Sequence, residues 1–448
     1  MRPALLLLLG GCLNVPAFGG DGGAHDGPGP VGAIDVHVGT RQLASATILV
    51  PAATIIGVLS NGEALPPVSP DETGKAELSV DDGATVFVSV PPTAGENERL
   101  VVFADVKRGD SLTVGLPLPI EEHLTAVDLV VDPNAAGSIT LQAACFDVGL
   151  TVASPAQTLV GATLPLASCM TANMIGAIYF ETPTAMGPDL MAVLPGPIDA
   201  SNTPAKITYD ASAVSTGTAF GAMVMLSDGA TWNSGSVAGT VGGVHGPEEK
   251  LVVASGSATS FSTTGAYVTI DPFVEVFGDF RNAATGEADS FVWARFAAPT
   301  PAVSIDATEA MGALQIASPI HDTAAGDTIH VTLPGAGTSS TIVADMVDTD
   351  GATLREVRWI APVSALVRDG ADATLSLPVP TALADKVLGG TDGSHPVSTR
   401  VRSLRFRSTG GDLSYDQVRA FMDLDLSNDT YFGPLGVPDL NRCDQANG

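Results

Sequence analysis

The side chains that most often hold metals or run hydrolyses are thinly spread in this chain, which has seven histidines and four cysteines among 448 residues. His245-Gly246-Pro247-Glu248 has His-x-x-Glu spacing, in which an imidazole and a carboxylate can reach one zinc ion. The later histidines His321, His330 and His395 add no supporting motif, and a strand-like run, Lys250–Ala254, follows at once. The stretch therefore reads first as a polar turn between strands, with a zinc-dependent peptidase as the remote alternative. Asp345-Met346-Val347-Asp348-Thr349-Asp350-Gly351 has the acid spacing of a calcium loop. Aligned on Gly351, though, such a loop would open on Met346 and close on Val357, and neither can ligate. A hairpin turn at Asp350-Gly351 explains it more simply. Asp423, Asp425 and Asp429 read as solvated acids. Nucleophile elbows, phosphate loops and His-Glu-x-x-His patterns are absent from the sequence. The expected catalytic set is therefore empty, with no metal site and no cofactor.

Binding chemistry has two further candidates. Arg400, Arg402, Arg405 and Arg407 form the one basic run, and strand alternation with a slip near Ser403 would line them on one face able to grip an acidic polymer. The plainer reading is an outer face or edge paired with the abundant acids. Trp232, Trp293 and Trp359 have the rings for stacking on sugars, but core packing is the commoner use of tryptophan.

The elements that must position these residues are limited by composition. The chain carries 49 acids against 20 bases, a net charge of -29, with 45% hydrophobic and 15% charged residues. So acidic a chain argues against nucleic acid, because binding phosphates takes clustered Lys and Arg. The apolar fraction is too high for disorder, and the length is enough for about three domains.

The first residues look like an address. Arg2 precedes an apolar run from Ala4 to Leu9, too short to span a bilayer, and small residues follow. Leu9-Gly10-Gly11-Cys12 resembles the lipobox of bacterial lipoproteins. That resemblance implies a signal peptide over 1–11, a diacylglycerol on the Cys12 thiol, and a location at the cell envelope, on the outer membrane or the cell surface. The alternative is a plain secretory signal with an incidental Cys12. Residues 12–30 end in a Gly- and Pro-rich stretch that cannot fold, a tether reaching about 20–25 Å. In an exported protein Cys145 and Cys169 can pair, and closing that loop would stabilise the fold by about 3 kcal/mol. Two buried free thiols are the other reading, and Cys443 is left over.

Behind the tether the chain is strand-like almost throughout. Residues 33–116 hold seven runs rich in Val, Ile and Thr: Ala33–Thr40, Ser45–Val50, Thr54–Ser60, Lys75–Val80, Ala84–Val90, Glu98–Val106 and Asp110–Leu116. Ser45-Ala46-Thr47-Ile48, the turn Asp71-Glu72-Thr73-Gly74-Lys75-Ala76 and the strand after Asp82-Gly83 make this segment resemble the carboxypeptidase regulatory-like domain. That family is a transthyretin-like β-sandwich, a structural or interaction module without chemistry of its own. Strand signals continue to the C-terminus, and helical ones are few. Thr381–Leu388 is one. The other is a capping box at Ser414-Tyr415-Asp416-Gln417, with Tyr415, Val418 and Met422 spaced for one face.

The expected architecture is all-β: tandem antiparallel sandwiches of Ig-like or transthyretin-like kind with few short helices. The expected divisions are 31–117 for the regulatory-like sandwich, 118–300 for one or two more, and 301–448 for a C-terminal β-rich domain. The expected role is a non-enzymatic, lipid-anchored envelope scaffold or binding module, partnered with the membrane and with an unidentified protein or polysaccharide. A carbohydrate- or peptide-binding adhesin is the alternative.

Overall fold

The computed structural model describes residues 31–40, 52–92, 98–116, 125–130, 137–143, 146–152, 159–164, 177–184, 187–195, 205–216, 218–226, 230–241, 244–245, 249–257, 259–267, 273–282, 288–297, 302–307, 315–322, 326–332, 341–348, 355–369, 372–377, 397–408, 411–419 and 440–447. Strands dominate them, and the fold is all-β.

Six strands build the N-terminal region: β1 (Gly32–Thr40), β2 (Thr54–Val58), β3 (Lys75–Val80), β4 (Ala84–Val90), β5 (Glu98–Val106) and β6 (Ser111–Leu116). Five of the seven predicted runs match to within one residue. The sixth, Thr54–Ser60, ends two residues early, and Ser45–Val50 lies outside the described residues. The order β3-β1-β6 makes a three-stranded sheet in which β1 and β6 run parallel, a departure from an all-antiparallel sandwich. Lys75-Ala76-Glu77-Leu78-Ser79-Val80 shows why one face of this sheet is wet. Its apolar residues alternate with exposed polar ones, so only Ala76, Leu78 and Val80 turn inward. They meet Val86 and Val88 of β4 and Val101 and Phe103 of β5 in one core.

The turn before β3 is closed by its own side chains. Asp71 accepts hydrogen bonds from the Thr73 amide at 2.8 Å, the Thr73 hydroxyl at 2.6 Å and the Lys75 amide at 3.1 Å. These bonds, that from Thr73 first, hold the Asp71 carboxyl below its ordinary value. Gly74 takes φ of 81°, the left-handed backbone a glycine tolerates.

The second sheet is much longer than an 85-residue module needs. From β2 the order runs β4, β5, Arg355–Pro362, Thr341–Asp348, Val397–Ser408, Leu440–Asn447, Ala288–Ala297, Phe273–Asn282, Ala230–Val241 and Val244–His245. Two short strands off this path bring it to 13. The link between β5 and Arg355–Pro362 is parallel, from Arg355 opposite Glu98 to Ile360 opposite Phe103. Both faces of this sheet are buried around β4 and β5. Val86 and Val88 face the three-stranded sheet, while Phe87, Leu100 and Val102 join Ile342, Met346 and Trp359 in a second cluster on the far face. Sequence alternation in β4 therefore separates two cores rather than core from water.

A four-stranded sheet, ordered Val252–Gly256, Ser260–Tyr267, Thr218–Leu226 and Ala302–Ala307, covers the other end of the ladder. Phe220, Val224, Phe261 and Tyr267 pack there on Val237, Val276, Phe280 and Val292. Register carries Val401 of the second cluster through Ala446 and Arg442 to Val292 without a shift. Successive residues of a strand alternate between faces, so the three- and four-stranded sheets cover opposite faces of the long one. The chain crosses between sheets at Leu251, whose amide bonds to Gly235 O at 2.8 Å.

Two further sheets are described through their backbone. Seven strands between 125 and 216 form one, and Gln315–Asp322, Gly326–Thr332, Asp372–Leu377 and Val367–Asp369 form the other.

Candidate functional site

Many of the residues singled out in the sequence fall outside the described structure, and those that are described lie on separate elements. Cys12, Cys145 and Cys169 lie outside the described residues, as do Glu248, His395, Asp423, Asp425, Asp429 and the predicted helix Thr381–Leu388. His245 sits in a two-residue strand paired to Thr240 and Val241. His321 and His330 belong to the hairpin of Gln315–Asp322 and Gly326–Thr332. Asp345 is mid-strand, not in a loop, and its carboxylate accepts from Arg358 Nε at 2.5 Å. The two strands there pair from Thr341 opposite Pro362 to Asp348 opposite Arg355, and the expected turn at Asp350-Gly351 lies outside the described residues. Among the described residues no group of three or more His, Cys, Asp or Glu is placed to hold a metal. Cys443 occupies a strand, opposite Phe291 and Leu404.

The arginine run is corrected by register. Val397–Ser408 pairs with both neighbours without a slip. Arg400 and Arg402 therefore share the parity of Leu404, and Arg405 and Arg407 that of Val401, so the four are split between the two faces. A single basic face needs a bulge near Ser403 that the ladder does not contain. Of the tryptophans, Trp359 is buried edge-on to Phe87, and Trp232 packs edge-on to Phe261 and Phe280. These rings serve packing.

Among the described residues the most concentrated polar chemistry is a clasp between the segment 104–110 and the helical turn 415–419. The turn starts as its sequence predicts. Ser414 N donates to Gln417 Oε1 at 2.8 Å, half of a capping box, and Tyr415 and Val418 face the N-terminal core. The Tyr415 hydroxyl reaches Ala104 O at 2.6 Å and Ile360 O at 3.0 Å, so its one proton serves two carbonyls where β5 and Arg355–Pro362 stop pairing. Burial raises the Tyr415 phenol well above its ordinary pKa, which keeps that proton in place.

Arg419, 1% exposed, grips Asp110 with both arms, Nε to Oδ2 and Nη2 to Oδ1, each at 2.7 Å. It also bonds Asp416, which in turn accepts from Lys107. Burial pulls the Asp416 carboxyl up, but the Lys107 hydrogen bond and Arg419 outweigh it and hold the group below the usual carboxylate value. Asp105 completes the cluster in a strained backbone, φ 51°, at a bulge where the β4–β5 register shifts. Its carboxyl is raised, chiefly by burial, with Lys107 and Arg419 opposing. Three carboxylates and two cations make an ion-pair clasp, with no nucleophile or imidazole among them. The sequence carries half its signal: the capping box and the i,i+3 pair Asp416–Arg419 are local. The other half joins residues 309 apart.

No protein-family profile matches the chain. No curated protein matches it either. Solved structures with some similarity include the fimbrial anchor protein Mfa2 from Porphyromonas gingivalis, at 8% identity and a TM-score of 0.17, over 60% of this chain and 82% of that one. Another is the major pilin subunit of Bacillus cereus, at 9% identity and a TM-score of 0.13, over 86% and 92%. A third is the pilus adhesin SpaC from Lactobacillus rhamnosus GG, at 11% and 0.14, over 75% and 44%. Superpositions this slight carry no argument about topology or role.

Proposed function

We propose that this protein is a non-enzymatic scaffold of the bacterial cell envelope, held to a membrane by lipid on Cys12 and presenting stacked β-sheets beyond a loose tether. The observation that carries the scaffold is the unbroken ladder from β2 to Val244–His245, covered on opposite faces by two smaller sheets. A backbone paired strand to strand over this distance resists local opening, which suits a rigid support. The anchor rests on Leu9-Gly10-Gly11-Cys12 and the Gly- and Pro-rich residues behind it. Among the described residues no helix is long and apolar enough to cross a membrane.

The natural partner is the membrane through that lipid, with a protein or polysaccharide ligand at the loops. An adhesin built on exposed aromatic platforms is less well supported, because Trp232 and Trp359 pack against other rings. The test is metabolic labelling with palmitate, followed by membrane fractionation. The native chain is expected to take up label and sediment with membranes, and Cys12→Ser to do neither. Label-free native protein that stays in the soluble fraction refutes the anchor.

A further inference from the structure

The four-stranded sheet has one face in a core and one in water. On the outer face Ala219, Met223, Val252, Thr264, Ala266 and Ser304 are all exposed, and the ladder registers place them side by side. Met223 is 44% and Val252 58% exposed. No described side chain of this face is charged, and Asp306, opposite Met225, is the one acid whose register falls on it. Residues 211–227 and 251–270 contain no Asp, Glu, Lys or Arg, in a chain that is 15% charged with a net charge of -29.

We propose that a second copy of this chain docks here, outer sheet face against outer sheet face. Two copies repel one another over most of their acidic surface, and approach is least opposed where both are neutral. Small Ala, Ser and Thr side chains let two sheets stack about 10 Å apart, with Met223 as an adaptable filler. Strands of 9, 8, 6 and 5 residues make a face of about 19 Å by about 23 Å. Stacking two such faces buries about 900 Å² in total, under the about 1,000 Å² that a stable interface should clear, so the dimer is weak and reversible. Pairing through the Val252–Gly256 edge is less favoured, because that strand carries a bulge between Val253 and Ser255 that turns its edge away. The biological use of so weak a contact rests on the anchoring reading: copies tethered to one membrane meet at raised local concentration.

The experiment is sedimentation equilibrium of the full chain carrying Cys12→Ser, from micromolar to millimolar, at low and high salt. Lipid plays no part in it, so its outcome is independent of the palmitate test. The expected result is a monomer–dimer equilibrium with a Kd of about 0.1 mM, tightening several-fold as salt screens the net charge. Met223→Lys and Ser304→Lys, both at exposed positions, are each expected to weaken it about tenfold or more. Val367→Lys, at a 72% exposed residue elsewhere, should leave it unchanged. Circular dichroism checks that each variant is folded. A monomer at every concentration overturns the proposal. So does a dimer indifferent to both lysine variants, or one broken only by Val253→Lys, which would mean edge pairing. A monomer that instead pellets with an insoluble polysaccharide, and loses this with Met223→Lys, also overturns it.

Discussion

Arg419 is buried more completely than any other charged side chain among the described residues. A buried cation is tolerable because Asp110 accepts from its Nε and Nη2 and Asp416 from its Nη1, so each of its nitrogens meets a carboxylate. Removing it strands Asp110, so Arg419→Met should destabilise the fold by about 3–5 kcal/mol in denaturant unfolding. Arg419→Met with Asp110→Leu should recover much of the loss, since the unpaired charge goes too. Asp105 works in the opposite direction. Its carboxyl is raised in the folded state, so between the ordinary carboxylate value and the raised one the folded chain binds more protons than the unfolded. Stability then falls as pH rises through that window. Asp105→Asn removes the slope and suits the positive φ better. Unfolding curves should show the variant ahead of the native chain at neutral pH, the gap narrowing on acidification.

Elements hold together at points where a ladder runs out. Tyr415 satisfies two carbonyls at the end of the β5 junction. Tyr415→Phe leaves both without that donor in a buried setting, an expected cost of about 1–3 kcal/mol by thermal or chemical unfolding. Beneath the four-stranded sheet Trp232 lies across Gly235 and Gly278. A Cβ on Gly235 would sit 2.2 Å from Trp232 Cζ2 and 2.8 Å from the Phe277 carbonyl oxygen. Gly235→Ala must push the indole off Phe261 and Phe280, costing about 1–3 kcal/mol. Loss of the native near-ultraviolet tryptophan signal would report the displacement.

At the scale of the molecule, the N-terminal sheets do not end at residue 116. Phe87, Leu100 and Val102 bury their side chains against Ile342, Met346 and Trp359, and the outer edge of β5 is paired to Arg355–Pro362. A fragment of residues 31–116 made alone bares that apolar face and an unpaired edge together. It is expected to aggregate, and co-expression with the segment 341–419 to raise its solubility. A soluble, monomeric fragment with cooperative unfolding would count against the shared core.

The amino-acid sequence by itself determined the local features. Val- and Ile-rich runs, their period of two, the Asp71–Gly74 turn and the Ser414–Gln417 cap are written within a few residues, and the physics that forms them acts over the same distance. Tertiary structure alone decided which strands became neighbours. The parallel join of β5 to Arg355–Pro362, the grip of Arg419 on Asp110 and the split of the arginine run depend on register between distant segments. Period-two patterning says that a strand has two faces, but not whether the second meets water or another core, as β4 shows. The missing information is pairing, which is set by the summed burial of many strands and by no single stretch of chain.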